Sequence, residues 1–311
     1  MALPSLAPRA LIERPKTFQE MQDRPAFQIT LDQGKHELAA VLSDYSFPSM
    51  IACGLSKCRT LHNRGYLVET VDGLETNVGH RCGRNNFGEA FDIARTSYVK
   101  QRDRADLLAQ ASRIKAEAPL LLQRISEMNR RRFGIKWVKT VRSSVQSILS
   151  DDLFQSLCTA AKRGDLLVTE ARERTDAEIE NIIARTRQQR EQVRVETVDL
   201  GALAPMPWLN YDFGSKLRDE LMVPLQDFIG LDLELLATPK LRAAVKKFDG
   251  ATERLDEAGR ALDTAQGFFS KANLELLVRW VPDRLAKRRR AVSEWASSKP
   301  CRDLLQGLAI E

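Results

Sequence analysis

Long apolar runs are missing from this chain of 311 residues. None approaches the roughly 20 residues that cross a bilayer, so a soluble protein with no membrane partner is expected. The first ten residues are interrupted by Pro4 and Pro8 and lack the apolar core of a secretory leader. Cysteines number five, an odd count, and Cys158 and Cys301 stand alone in helical surroundings. That argues against a disulfide framework and for a reducing, cytoplasmic location. Aromatic residues are scarce, at 6%. There is no Gly-x-x-x-x-Gly-Lys-Ser/Thr phosphate loop, no Gly-x-Ser-x-Gly nucleophile turn and no His-Glu-x-x-His pair. The carboxylates are scattered along charged segments where solvation accounts for them. The expectation is therefore a protein that is not an enzyme.

What the chain does have is charge and helical periodicity. Charged residues make up 29%, a little above the usual quarter. The net charge is +6 and the isoelectric point is near 9.1, a balance that permits an acidic partner without requiring one. Residues 1–48 read as an arm broken by Pro4, Pro8, Pro15 and Pro25, then a short helix capped by Asp32 that runs through Lys35–Leu42 and contains His36. Residues 49–92 form a distinct cysteine- and glycine-bearing module. In residues 93–134, Tyr98, Ala105, Leu108 and Ala111 continue a stripe begun by Phe91 and Ala94 at three- and four-residue steps, with one gap around Gln101-Arg102, as on a long amphipathic helix. Pro119 should kink or break it. Residues 135–203 hold two short helices, the second capped at Ser150 and ended by Gly164. Two segments follow, at 166–169 and 193–198, that read either as strands of a winged-helix-like unit or as parts of a helical hairpin. Residues 204–311 form a C-terminal region in which 241–262 and 274–295 are expected to pair as an antiparallel helical hairpin. The fold class expected is mainly α, with long coiled-coil-like helices and a small metal-bearing β-hairpin near the N-terminus.

The chemistry that can be named lies in Cys53-Gly-Leu-Ser-Lys-Cys58-Arg-Thr-Leu-His62 and in Gly79-His80-Arg81-Cys82-Gly83. Three of the five cysteines and two of the three histidines fall within these thirty residues. Soft thiolates and imidazoles at short spacing suit one tetrahedral zinc ion. Between the two halves, alternating residues from Tyr66 to Val71 meet the turn signal Asp72-Gly73. A hairpin there returns Cys82 to the side of Cys53 and Cys58. The expected ligands are Cys53, Cys58, Cys82 and His62, with His80 as alternate. His80 stands two residues from Cys82, a tight chelate. The zinc is expected to be structural, because all the plausible ligands are needed to close its shell.

Knuckle, hairpin, second ligand turn and helix, over residues 50–92, resemble a treble-clef-like zinc finger. The resemblance covers that module alone. It departs from the usual pattern because the second half has no Cys-x-x-Cys.

Arg81 and Arg84 flank Cys82, and Lys287-Arg288-Arg289-Arg290 forms a second cationic run. Such groups bind phosphate, or else lie in solvent beside acidic neighbours. Two functions follow as expectations. One is a nucleic-acid-binding or nucleoprotein-associated protein using these residues. The other is a protein–protein adaptor whose long helices contact a partner or a second copy. A metal-dependent hydrolase would require an open coordination position on the zinc.

Overall fold

The computed structural model describes residues 11–307. They divide into two compact units. One runs to Ser112 and takes in Leu233–Arg242; the other comprises Arg113–Asp232 and the chain from Ala243 onward. No helix among the described residues is long and apolar enough to cross a membrane. The chain is mostly helical, with a small antiparallel sheet near the N-terminus.

The first unit is built on that sheet. A short helix, α1 (Phe18–Gln22), is capped by the Thr17 side chain. Three strands follow: β1 (Leu38–Ala52), β2 (Leu61–Thr70) and β3 (Glu75–Val78), ordered β1-β2-β3. The turn expected at Asp72-Gly73 joins β2 to β3, with Gly73 at φ 83°. The helix expected through Lys35–Leu42 does not form. Asp32 instead accepts from the Gly34 amide in a local turn, and residues from Leu38 onward are the edge strand β1. Leucine and alanine favour helix weakly, and pairing of β1 with β2 from Leu38–Thr70 to Ala52–Leu61 overrides that preference. Alternation then sorts the side chains. Val41 and Val68 face one core with Leu31, Leu55, Phe91 and Tyr98, while Leu42 and Leu67 face another with Met21, Phe27 and Phe47.

Helix α2 (His80–Arg130) begins in this unit and ends in the other. It starts eleven residues before Phe91, where the expected apolar stripe begins, and bends at Gly88 (φ 57°, ψ −135°), a conformation open to glycine. Pro119 neither breaks it nor leaves helical backbone angles. Only one backbone donor is lost there, and the neighbouring turns carry the helix through.

In the second unit, α3 (Ile135–Leu149) buries Trp137, Val138, Val141, Val145 and Leu149 along one face. α4 (Asp151–Arg163) starts after Ser150, whose side chain makes no capping hydrogen bond, and stops as expected at Gly164 in the left-handed conformation. The two ambiguous segments are strands: β4 (Leu167–Glu173) pairs antiparallel with β5 (Val195–Ala202). Between them lie α5 (Asp176–Thr186), with a Thr175/Glu178 capping box, and α6 (Arg190–Val193). A wide-turned segment, Gly214–Met222, runs into α7 (Val223–Ile229). Then come α8 (Thr238–Lys246), α9 (Ala251–Phe268), α10 (Lys271–Trp280), α11 (Ala286–Ala296) and α12 (Lys299–Leu305). The stretch expected as one helix over 241–262 is divided at Gly250, in the left-handed conformation, and that over 274–295 at Val281-Pro282. α10 packs on β4, β5 and α11, and α11 packs on α3. Arg124 pairs with Asp256 at 2.7 Å and Arg131 with Asp263 at 3.0 Å, the same offset twice, so α9 runs parallel to the end of α2.

Candidate metal centre

Each of the three cysteines arrives by a different route. Cys53 follows the end of β1, fully buried, with its amide bonded to the Thr60 carbonyl at 2.9 Å. The chain between them turns tightly: Cys58 and Arg59 both donate to the Leu55 carbonyl. Arg59 sits at φ 48°, and its guanidinium holds the turn by donating to the carbonyls of Ile29 (3.0 Å) and Cys53 (3.5 Å). Gly54 is required because a Cβ there would lie 2.0 Å from Thr76 Oγ1 on β3. Cys82 enters from the first turn of α2. There Gly83 has no room for a side chain, since a Cβ would sit 2.5 Å from the Phe91 ring.

The three sulfurs all lie within 4.8 Å of one another, and those of Cys58 and Cys82 are 3.1 Å apart. A tetrahedral ion with Zn–S bonds of about 2.3 Å spaces its sulfurs by about 3.8 Å. The cluster is thus of the right size, needing only a small opening between Cys58 and Cys82. Burial pushes the Cys53 thiol up to about 12, against the pull of the Leu55 and Gly79 amides that face its sulfur. Burial likewise raises Cys82, with the neighbouring Cys58 thiol adding to it. Burial also opposes ionisation of Cys58, but the Thr60 hydroxyl and amide and the two neighbouring thiols outweigh it, bringing Cys58 to about 7. Three thiols so placed can hold a metal ion, which would take two of them as anions only by displacing their protons.

A pH dependence follows, with a definite sign. Above pH 7 Cys58 is already thiolate, and metal entry must release two protons, from Cys53 and Cys82. Below pH 7 it must release three. Apparent affinity should therefore fall as pH falls, by roughly 100-fold per pH unit above neutrality and roughly 1000-fold per unit below it. Competition titrations with a chromophoric chelator between pH 6 and 8.5 check the change of slope; a pH-independent affinity would remove thiolate ligation.

Neither histidine joins the sulfurs. Both nitrogens of His62 are engaged: Nδ1 lies 3.0 Å from the Thr60 carbonyl and Nε2 2.6 Å from Tyr45 Oη. A carbonyl only accepts, so Nδ1 carries the proton and Tyr45 donates to Nε2. Burial raises the Tyr45 phenol and keeps it a donor. His80 is exposed at the start of α2, its ring beside Tyr66 and Phe91. His36 bonds to Asp72 at 2.8 Å, away from the cluster as expected, though from a loop and not from a helix. Spacing alone favoured His62; its diversion depends on Tyr45, seventeen residues away, which no local pattern reveals.

Compared with family models, with curated proteins and with solved structures, the chain matches none.

The cationic residues divide sharply. Arg81 is exposed, while Arg84 is paired with Asp92 at 3.3 Å. In the second unit the run 287–290 is not one patch. Arg289 is held by Asp283 and Glu170, Arg290 by Glu294 at 2.8 Å, and Arg288 donates to the Ile148 carbonyl at 3.2 Å. Lys287 alone is exposed with no ion pair among the described residues. A signal in the sequence that points to further cations is the absence of any Asp or Glu from Tyr45 to Val68 and from Thr76 to Gly88. Those stretches carry Lys57 and Arg64, both exposed and without an ion pair among the described residues.

Proposed function

We propose that this is a non-catalytic nucleic-acid-binding protein whose N-terminal module is a treble-clef-like finger stabilised by one structural zinc on Cys53, Cys58 and Cys82. The observation that carries the reading is the three-sulfur cluster set in two acid-free stretches of chain that expose Lys57, Arg64 and Arg81. Phosphate contacts by such side chains release counterions and give affinity without sequence preference. No protein histidine or carboxylate joins the three thiols among the described residues, so a metal held there keeps one position open, as a hydrolase would need. The stretches that carry the cysteines hold no Asp or Glu to serve it as a base, and on that ground the zinc is proposed as structural. The adaptor reading draws on different residues, the exposed Met50 and Leu61 at the far end of the β1–β2 pair and the exposed Leu120 on the long helix.

The test is a titration of the full chain against labelled single- and double-stranded DNA and RNA at several salt concentrations. The expected result is a steep loss of affinity with salt. In Lys57→Ala/Arg64→Ala/Arg81→Ala the magnitude of the slope should drop by about 2 to 3, near 0.7–0.9 per lost phosphate contact. No binding by the wild type at low salt would overturn the reading in favour of the adaptor.

A further inference from the structure

The second unit contains a groove of its own. α3 carries Lys136, Lys139 and Arg142 and no acidic residue along its whole length. Beside it, an open hollow of about 570 Å³ is lined by Lys139, Ser143, Ser147 and the partly exposed Trp295 of α11. Lys139, Ser143 and Ser147 follow one another at four-residue steps and so form a single row on α3. The hydroxyls of Thr140 and Ser144, also in the wall, donate back to their own helix (3.2 and 2.9 Å). Those of Ser143 and Ser147 have no partner among the described residues and remain free to donate. Trp295 meets Phe269 edge to face, centroids 6.4 Å apart, which fixes the indole in the groove wall.

A second hollow, of about 500 Å³, lies along α11. Arg288, which lines it with Arg284 and Lys287, donates to the Ile148 carbonyl in the wall of the first. Lys287 and Arg284 are exposed without ion pairs among the described residues. The acidic groups nearby are accounted for. Asp283 and Glu170 are held by Arg289, Glu294 is held by Arg290, and Asp151 bonds Gln146 at 3.2 Å beyond Ser147. From Lys287 to Trp295 is about 12 Å along the helix, a span of about three stacked nucleotides.

We infer that the α3–α11 groove binds single-stranded nucleic acid, with phosphates on Lys139, Ser143, Ser147 and Lys287 and a base stacked on Trp295. Free cations and hydroxyl donors in a row suit a phosphodiester backbone. A partly exposed indole in the same hollow as Lys139, Ser143 and Ser147 suits an unpaired base, whose π-face is hidden in a duplex. The inference rests on the nucleic-acid reading of this chain but not on its metal module.

The experiment is an anisotropy titration of the full chain with labelled oligodeoxythymidylate at several salt concentrations, with duplex of equal length and phosphatidylserine vesicles as further arms. Lys139→Ala/Lys287→Ala is expected to weaken oligonucleotide binding about tenfold or more at low salt and to reduce the magnitude of the salt slope by about 1.4, two contacts at 0.7 each. Trp295→Leu is expected to weaken it by roughly ten- to a hundredfold, and Trp295→Phe to keep most of the affinity. Both lysines are exposed, so the double variant should melt as the wild type does. Wild-type affinity and slope in the double variant would overturn the groove. If Lys57→Ala/Arg64→Ala/Arg81→Ala alone abolishes binding, the metal-module reading stands and the groove falls. If the wild type binds no nucleic acid, both fall. Lysine-dependent binding to vesicles but not to oligonucleotide would replace the inference with a lipid surface.

Discussion

Cys58→Ser is expected to abolish metal binding and to loosen the N-terminal module while leaving the second unit intact. Purified wild type should carry about one zinc per chain, and the variant none. Cys58 is the one thiol of the three that is only partly buried, so serine there does little to the apolar core, and the loss reports the metal. Apparent zinc-binding free energies in small fingers are about 10–16 kcal/mol at neutral pH, and that energy is folding energy when the unfolded chain has no site. The module also has an apolar core of its own, with Leu55, Val68, Val78 and Phe91 fully buried, so the fold should loosen and not vanish. Hydrogen exchange should rise in residues 45–90 and stay protected in α3, α4 and α9. A chelator should reproduce the effect in the wild type. Metal-free wild-type protein with the same protection pattern would end the structural-zinc reading.

The second large effect is expected from Phe91→Ala, at about 3–5 kcal/mol. Phe91 has no exposed surface, packs edge-on to Tyr66 with centroids 5.7 Å apart, and lies against Gly83 in the turn that carries Cys82. Removing the ring leaves a cavity under the second half of the metal site. Exchange at amides of β2 and the start of α2, followed with added denaturant, measures the loss in the first unit separately from the second. Zinc affinity should fall with it, because Cys82 loses its support. A loss below about 1 kcal/mol would show that the metal, and not the aromatic core, holds α2 to the sheet.

Parts of this architecture were legible because they depend on neighbours in the chain. Asp72-Gly73 turns the β2–β3 hairpin, with Gly73 in the positive-φ conformation that glycine adopts freely. Gly164 ends α4 because it alone there adopts the left-handed cap. The spacing of Cys53, Cys58 and Cys82 around that hairpin was enough to gather three sulfurs. Other parts misled for an equally local reason. Leu38 to Leu42 carry helix formers, yet β1 forms because β2 offers a pairing edge and two cores take the alternate side chains. At 166–169 and 193–198 the residues suit either state, and the partner strand twenty or more residues away makes the choice.

Composition, turn residues and short spacings are local properties, and they suffice for a basic, mostly helical chain with a three-cysteine centre beside a β-hairpin. Which polar side chains are free to act depends instead on contacts made across the fold. His62 is taken by Tyr45 and Thr60, Arg289 by Glu170 and Asp283, and Arg288 by the Ile148 carbonyl, whereas Lys57, Arg64, Lys139 and Lys287 remain in solvent. A charge or an imidazole has the same chemistry wherever it stands in the chain. Its availability depends on what the fold brings within about 3 Å of it, and the partners that decide it here lie from two to about 140 residues away.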